Sequence, residues 1–272
     1  LAPVKDGPIL LLMKYRLALL LIGLLPVPAM AEPLAAFYTA SWAGLPAAGI
    51  RLSLDDGDHG WAGSVGIESR GLPRLLTRFR TDATAAGTVA PDGTALFERF
   101  DARYDLRKRH DRLIRIGYED RDGDRFAERQ PGDTSTKPQL AESFRRGVLD
   151  PVSALAAIRR RLLAGPPESG LTFTEPVYDG ARRFDVVGRV SNVGGKEDVV
   201  SVDLTFKPIA GFKGETSEDG DPDDAPRPAE VTFSHDGRLL PLSLRVRVAW
   251  FPLVVRFQHL CRNYESCADT SP

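Results

Sequence analysis

Cys261 and Cys267, in the run CRNYESC, are the only cysteines of the 272-residue chain. Thiols this close can close a small disulfide loop, remain free, help His259 hold a metal, or cycle as a redox pair. A metal site needs three or four ligands, and only three candidates cluster here. Redox pairs are usually spaced C-x-x-C. In an oxidising compartment an even pair reads as a structural disulfide, and so short a loop stabilises by about 2 kcal/mol in the chain-entropy picture. Its expected role is to pin the C-terminal tail.

The other reactive residue types form no constellation. Asp120-Arg121-Asp122-Gly123-Asp124 hints at a calcium loop, but its glycine precedes the third acid, so a hairpin turn is the better account. The run Asp219 to Asp224 reads as a solvated acidic loop. Ser64 lies in Gly63-Ser64-Val65-Gly66, which lacks the G-x-S-x-G spacing and sits in a strand pattern. His59 and His235 neighbour Asp-Gly turns, His110 sits in a charged stretch, and His259 alternates with Val255 and Phe257. No H-E-x-x-H, P-loop or dinucleotide fingerprint occurs. Neither a metal nor a cofactor is expected.

The compartment is read from Met13 to Ala31, MKYRLALLLIGLLPVPAMA. Lys14 and Arg16 precede a short apolar run, Pro26 and Pro28 break it, and Ala29-Met30-Ala31 offers a small-x-small cleavage site. A retained anchor is the alternative, but the run is shorter than the roughly 20 residues a membrane span requires. Leu1 to Leu12 precede this start. Residues 1–31 are therefore expected to be removed, leaving 32–272 as one β-rich domain that does not span a membrane. The formal charge of −1 becomes −3 once Lys5, Lys14, Arg16 and Asp6 leave. Acidic and basic residues are interleaved, which argues against a nucleic-acid partner.

These side chains must be positioned mainly by strands. Ile50, Leu52 and Leu54 alternate with polar residues, as do Ile114, Ile116 and Tyr118, then Val200 to Phe206, then Leu242 to Trp250. Asp-Gly pairs at 56, 92, 122, 179 and 236 supply turns. One segment breaks the period. Asp150 can cap a helix, Pro151 suits its first turn, and Val152, Leu155, Ile158, Leu162 and Leu163 form an apolar stripe. Arg159 to Arg161 suit its C-terminal end, and Gly165 can stop it. Leu72 to Phe79 reads as helical or irregular, Gln130 to Lys137 as a polar loop, and 215–228 as an acidic, proline-rich insertion.

Several of these segments together resemble DUF3108, a family of uncharacterised exported bacterial proteins. The segments are YTASWAGLPAAGIRLSL, SRGLPRLLTRFRTD, DPVSALAAIRR, VYDGARRFDVVGRV and HDGRLLPLSLRVRVAWFPLVVRFQHL, spanning Tyr38 to Leu260. The resemblance implies a curved antiparallel sheet similar to the half-barrel of periplasmic lipoprotein carriers. It implies no reaction and no catalytic residues.

The expected fold is mainly β: a large curved antiparallel sheet with one main helix packed on the concave side. The expected function is a periplasmic, non-enzymatic protein that binds or carries a lipid or other hydrophobic ligand. Trp42, Phe184, Leu244, Val246, Trp250 and Phe257 are the candidate cavity lining, with ordinary core as their alternative. Arg245, Arg247 and Arg256 could meet an anionic head group or simply face solvent. An envelope scaffold that binds another protein is the rival function. A cell-wall or glycan hydrolase would need converging carboxylates, and none is marked out.

Overall fold

The computed structural model describes residues 34–57, 60–71, 74, 78–90, 94–106, 109–212, 225–248 and 251–267. Thirteen strands follow one another around a single antiparallel sheet. The first seven are β1 (Leu34–Trp42), β2 (Leu45–Asp56), β3 (Gly60–Ser69), β4 (Phe79–Val89), β5 (Ala95–Leu106), β6 (Arg109–Arg121) and β7 (Asp124–Arg129). Helix α1 (Pro151–Leu163) comes next. Then come β8 (Thr172–Tyr178), β9 (Arg183–Gly194), β10 (Val199–Ala210), β11 (Arg227–Ser234), β12 (Pro241–Val248) and β13 (Phe251–Leu260). Each strand pairs with its sequence neighbour, and β1 pairs with β13, so β7 and β8 form the two edges.

A strongly twisted sheet of this many strands rarely stays open and flat. It curls until its edges approach, and Arg145–Leu149 fills the remaining gap. On one side Ala127 N–H donates to the Arg145 carbonyl and Gly147 N–H to the Arg125 carbonyl. On the other, Leu149 N–H donates to Pro176 and Tyr178 N–H to Leu149. Arg129 of β7 also donates to the Gly180 carbonyl, just past β8, at 2.5 Å. The sheet is therefore barrel-like and nearly closed, curled further than the predicted half-barrel because this strap satisfies both edges.

The turn chemistry is local. Asp122 and Gly123 both have positive φ, 51° and 83°, the geometry a two-residue hairpin needs between Arg121 and Asp124. That hairpin accounts for the acidic cluster, and no metal-ligating group of three forms among the described residues. Gln130–Lys137 is irregular and is tied to β6 through Thr134 and Leu113. Phe79 starts β4, while residues 72, 73 and 75–77 lie outside the described residues. So do the segment 1–31, Asp92-Gly93 and residues 215–224 of the predicted insertion; Arg227 and Pro228 already belong to β11.

The C-terminal tail folds back on the outer face of β1 to β4. Cys261 and Cys267 are joined by a disulfide, with Cα atoms 5.2 Å apart. Cys267 packs on Phe37, and His259 stacks on the same ring at 5.4 Å. Tyr264 donates to Asp82 at 3.2 Å beneath the Arg51 guanidinium. Gly66 permits this close approach: a Cβ there would collide with the Tyr264 hydroxyl.

Candidate ligand cavity

Helix α1 lies on the concave side, and its N-terminus is fixed by a buried polar knot. Asp150 is fully buried, and its Oδ1 accepts from the Val152 and Ser153 N–H groups, each at 2.9 Å. Its Oδ2 accepts from the Ser153 hydroxyl and, at 2.9 Å, from Tyr118. The Tyr118 hydroxyl in turn accepts from the Asp150 N–H at 2.6 Å. Burial pushes the Asp150 carboxyl above its ordinary range, while these hydrogen bonds oppose the shift. Burial likewise drives Tyr118 well upward, reinforced by the Asp150 charge.

The other end is held by arginines. Arg159 is almost wholly buried, donates to Asp56 at 2.9 Å, and donates twice to the Arg238 carbonyl. Arg160 takes the other Asp56 oxygen at 2.7 Å, and Arg161 pairs with Glu175. So the three arginines placed by the helix dipole argument are also the ties that anchor the helix to β2, β8 and the loop before β12.

Between these anchors the helix separates two apolar clusters. Val152 and Ala156 face β3 to β5, where Gly63 allows close contact: a Cβ there would lie 2.6 Å from Val152. Ala154, Leu155 and Ile158 look the other way, into a cavity of about 340 Å³. That is roughly twice the 150 Å³ that accommodates a benzene ring, and falls within the range of small-molecule pockets. The opposite walls come from inward positions of β1–β3 and β8–β13, including Ile50, Leu52, Phe206 and Phe233. Among the described residues lining it there is no carboxylate, histidine or cysteine; Tyr38 and Ser243 supply the polar atoms. Ser243 is hydrogen-bonded to Thr232. The Tyr38 hydroxyl is buried without a partner among the described residues. Burial drives its pKa strongly upward, with the nearby Arg159 charge opposing.

Of the residues expected to line a cavity, Phe184 and Leu244 stand on this wall. Val246 lies two residues beyond Leu244 on β12 and packs into the cluster beneath it. Phe257 packs edge-on against Tyr38, at 5.9 Å between centroids, as core. Trp42 does not line the cavity. It ends β1 at the rim, remains 42% exposed, and meets Phe251 edge-on. Trp250 lies outside the described residues. The helix residues, Tyr38 and the inward side chains of β2 and β3 were missed. Period-two alternation marks them as inward, but alternation cannot distinguish a cavity wall from packed core.

The strand register locates the mouth. The β1–β2 turn, the start of β13, the end of β10 and the start of β9 all lie at one end of the barrel. At that end a hollow of about 170 Å³ shares Phe184 and Phe206 with the cavity and adds Phe212, Arg182 and Arg227. Arg159 donates near Arg238, at the opposite end, so α1 blocks the far side.

Elsewhere, Ser64 sits within β3 between Ser53 and Thr84, and His235 pairs with Asp198 at the surface. His59 and the His110 side chain lie outside the described residues.

Residues 38–251 match the sequence profile of a family described as a protein of unknown function, DUF3108. No functionally curated protein matches the chain. Among solved structures it is similar to a crystal structure described as a beta-barrel-like protein of a domain of unknown function, DUF1849, from Brucella abortus. The two share 11% identity with a TM-score of 0.52, over 85% of this chain and 98% of the other. At that identity the likeness concerns the fold alone.

Proposed function

The chain belongs to the DUF3108 family, and from that premise we propose that it is an exported, non-enzymatic protein of the bacterial periplasm that holds a hydrophobic ligand. The observation carrying this reading is the apolar cavity between α1 and the inner sheet face. An apolar ligand of modest size would remove that wall from water at roughly 25 cal/mol per Å² of surface covered, before the cost of confining it. By the packing of benzene in its 150 Å³ cavity, this one has room for about 14 carbons. Among the described residues the lining offers no acid–base pair, which favours holding a ligand over transforming it.

The signal-like segment Met13–Ala31 motivates the periplasmic location, and cell fractionation tests it. For the ligand, native mass spectrometry of protein isolated from a periplasmic extract should show an added apolar mass that lipid extraction recovers. 1-Naphthylamine, which is small enough for the cavity, should shift its fluorescence to the blue on entering the emptied protein, and Leu155→Trp, which takes up much of the space, should weaken that signal sharply. Protein that is always empty and takes up no probe would refute the proposal.

A further inference from the structure

The end of the barrel at which the cavity opens also carries an exposed apolar rim. Trp42 is 42% exposed, Leu45 53% and Phe251 48%. Trp42 lies opposite Leu45 on one side and Leu253 on the other, so these residues form one continuous patch across β2, β1 and β13. Phe251 lies four residues before Val255, which lines the cavity, on the same face of β13. The apolar inner wall thus continues out of the cavity to its lip. Three strands further round, Ile209 of β10 is 47% exposed at the same end.

Arg247 of β12 lies opposite Pro252, is exposed, and makes no ion pair among the described residues. Arg182 and Arg227 line the adjoining hollow, the former paired with Asp179. Tryptophan and phenylalanine beside arginines match the boundary between acyl chains and anionic head groups, where rings enter the apolar layer and cations remain at its surface.

We propose that this rim is a lipid-docking surface: Trp42, Leu45 and Phe251 insert into the outer layer of an anionic phospholipid bilayer, with Arg247 against its head groups. This rests on the cavity reading and deepens it, because a mouth seated in the bilayer lets an apolar ligand pass between membrane and cavity without crossing water. Residues 213–224 join Phe212 to Ala225 and include Glu215, Glu218, Asp219, Asp221, Asp223 and Asp224. They lie outside the described residues, and the proposed docking surface does not include them. Their charge opposes an anionic membrane, so the apolar contact must provide most of the binding.

Flotation of residues 32–272 with vesicles tests the proposal. The protein should float with phosphatidylcholine–phosphatidylglycerol vesicles, and less with phosphatidylcholine alone. Trp42→Ser combined with Phe251→Ser should reduce partitioning about tenfold or more, given the apolar area removed. Leu45→Ser alone should reduce it less. All should keep a cooperative unfolding transition and 1-naphthylamine uptake. Arg247→Glu should remove the preference for phosphatidylglycerol. Leu155→Trp should lose most of its probe uptake but still float, which separates the cavity from the rim. A wild-type protein that takes up probe yet fails to float would overturn the docking surface and leave the cavity reading intact. Rim variants that float like wild type, or a rim that binds an envelope protein but no vesicle, would also overturn it.

Discussion

Asp150 illustrates how much one side chain does in this protein. It caps α1, holds Tyr118 and Ser153, and follows directly on the strap that closes the sheet. Losing a cap of this kind costs about 0.5–2 kcal/mol, and each buried donor left without an acceptor adds about 1–3 kcal/mol. Asp150→Ala should therefore lower stability by about 2–4 kcal/mol in urea denaturation, and a loss under about 0.5 kcal/mol would show the knot to be dispensable. The Asp150-Pro151 signature was legible because capping is local. The partnership with Tyr118, 32 residues away, was not, because nothing in the sequence marks which tyrosine faces the cap.

At the scale of elements, α1 is anchored more by charge than its apolar stripe suggests. Asp56 receives Arg159 and Arg160 together, with Arg159 almost wholly buried. Removing one partner of a buried pair strands the other charge, whereas an apolar replacement of similar volume often costs little. Asp56→Ala should cost about 3 kcal/mol, and Arg159→Met clearly less; chemical denaturation of both variants measures the order, and the reverse order would refute the argument. The sequence placed the arginines correctly at the helix C-terminus, where the dipole favours them. It could not show that one of them turns inward, since Asp56 was legible only as half of an Asp-Gly turn.

For the whole molecule, closure depends on a segment with no regular secondary structure. The Arg145–Leu149 strap hydrogen-bonds to both edge strands, so Gly147 and Leu149 amides should exchange as slowly as strand amides. Hydrogen exchange measured by NMR checks this; rapid exchange at both would mean that the seam opens without global unfolding. The alternating strands, the Asp122-Gly123 hairpin, the capped helix and the terminal cysteine pair were all determined by sequence alone. Each depends on neighbours within a few residues: a period, a turn conformation, a cap, a short loop. Only the tertiary structure decided that the sheet curls almost to closure, that α1 leaves one side of its concave face open, and that Trp42 stands at the rim while Phe184 lines the wall. Alternation specifies which side chains point inward. How much space they enclose depends on curvature and on the helix that shares the interior, and both arise from contacts between residues far apart in the chain.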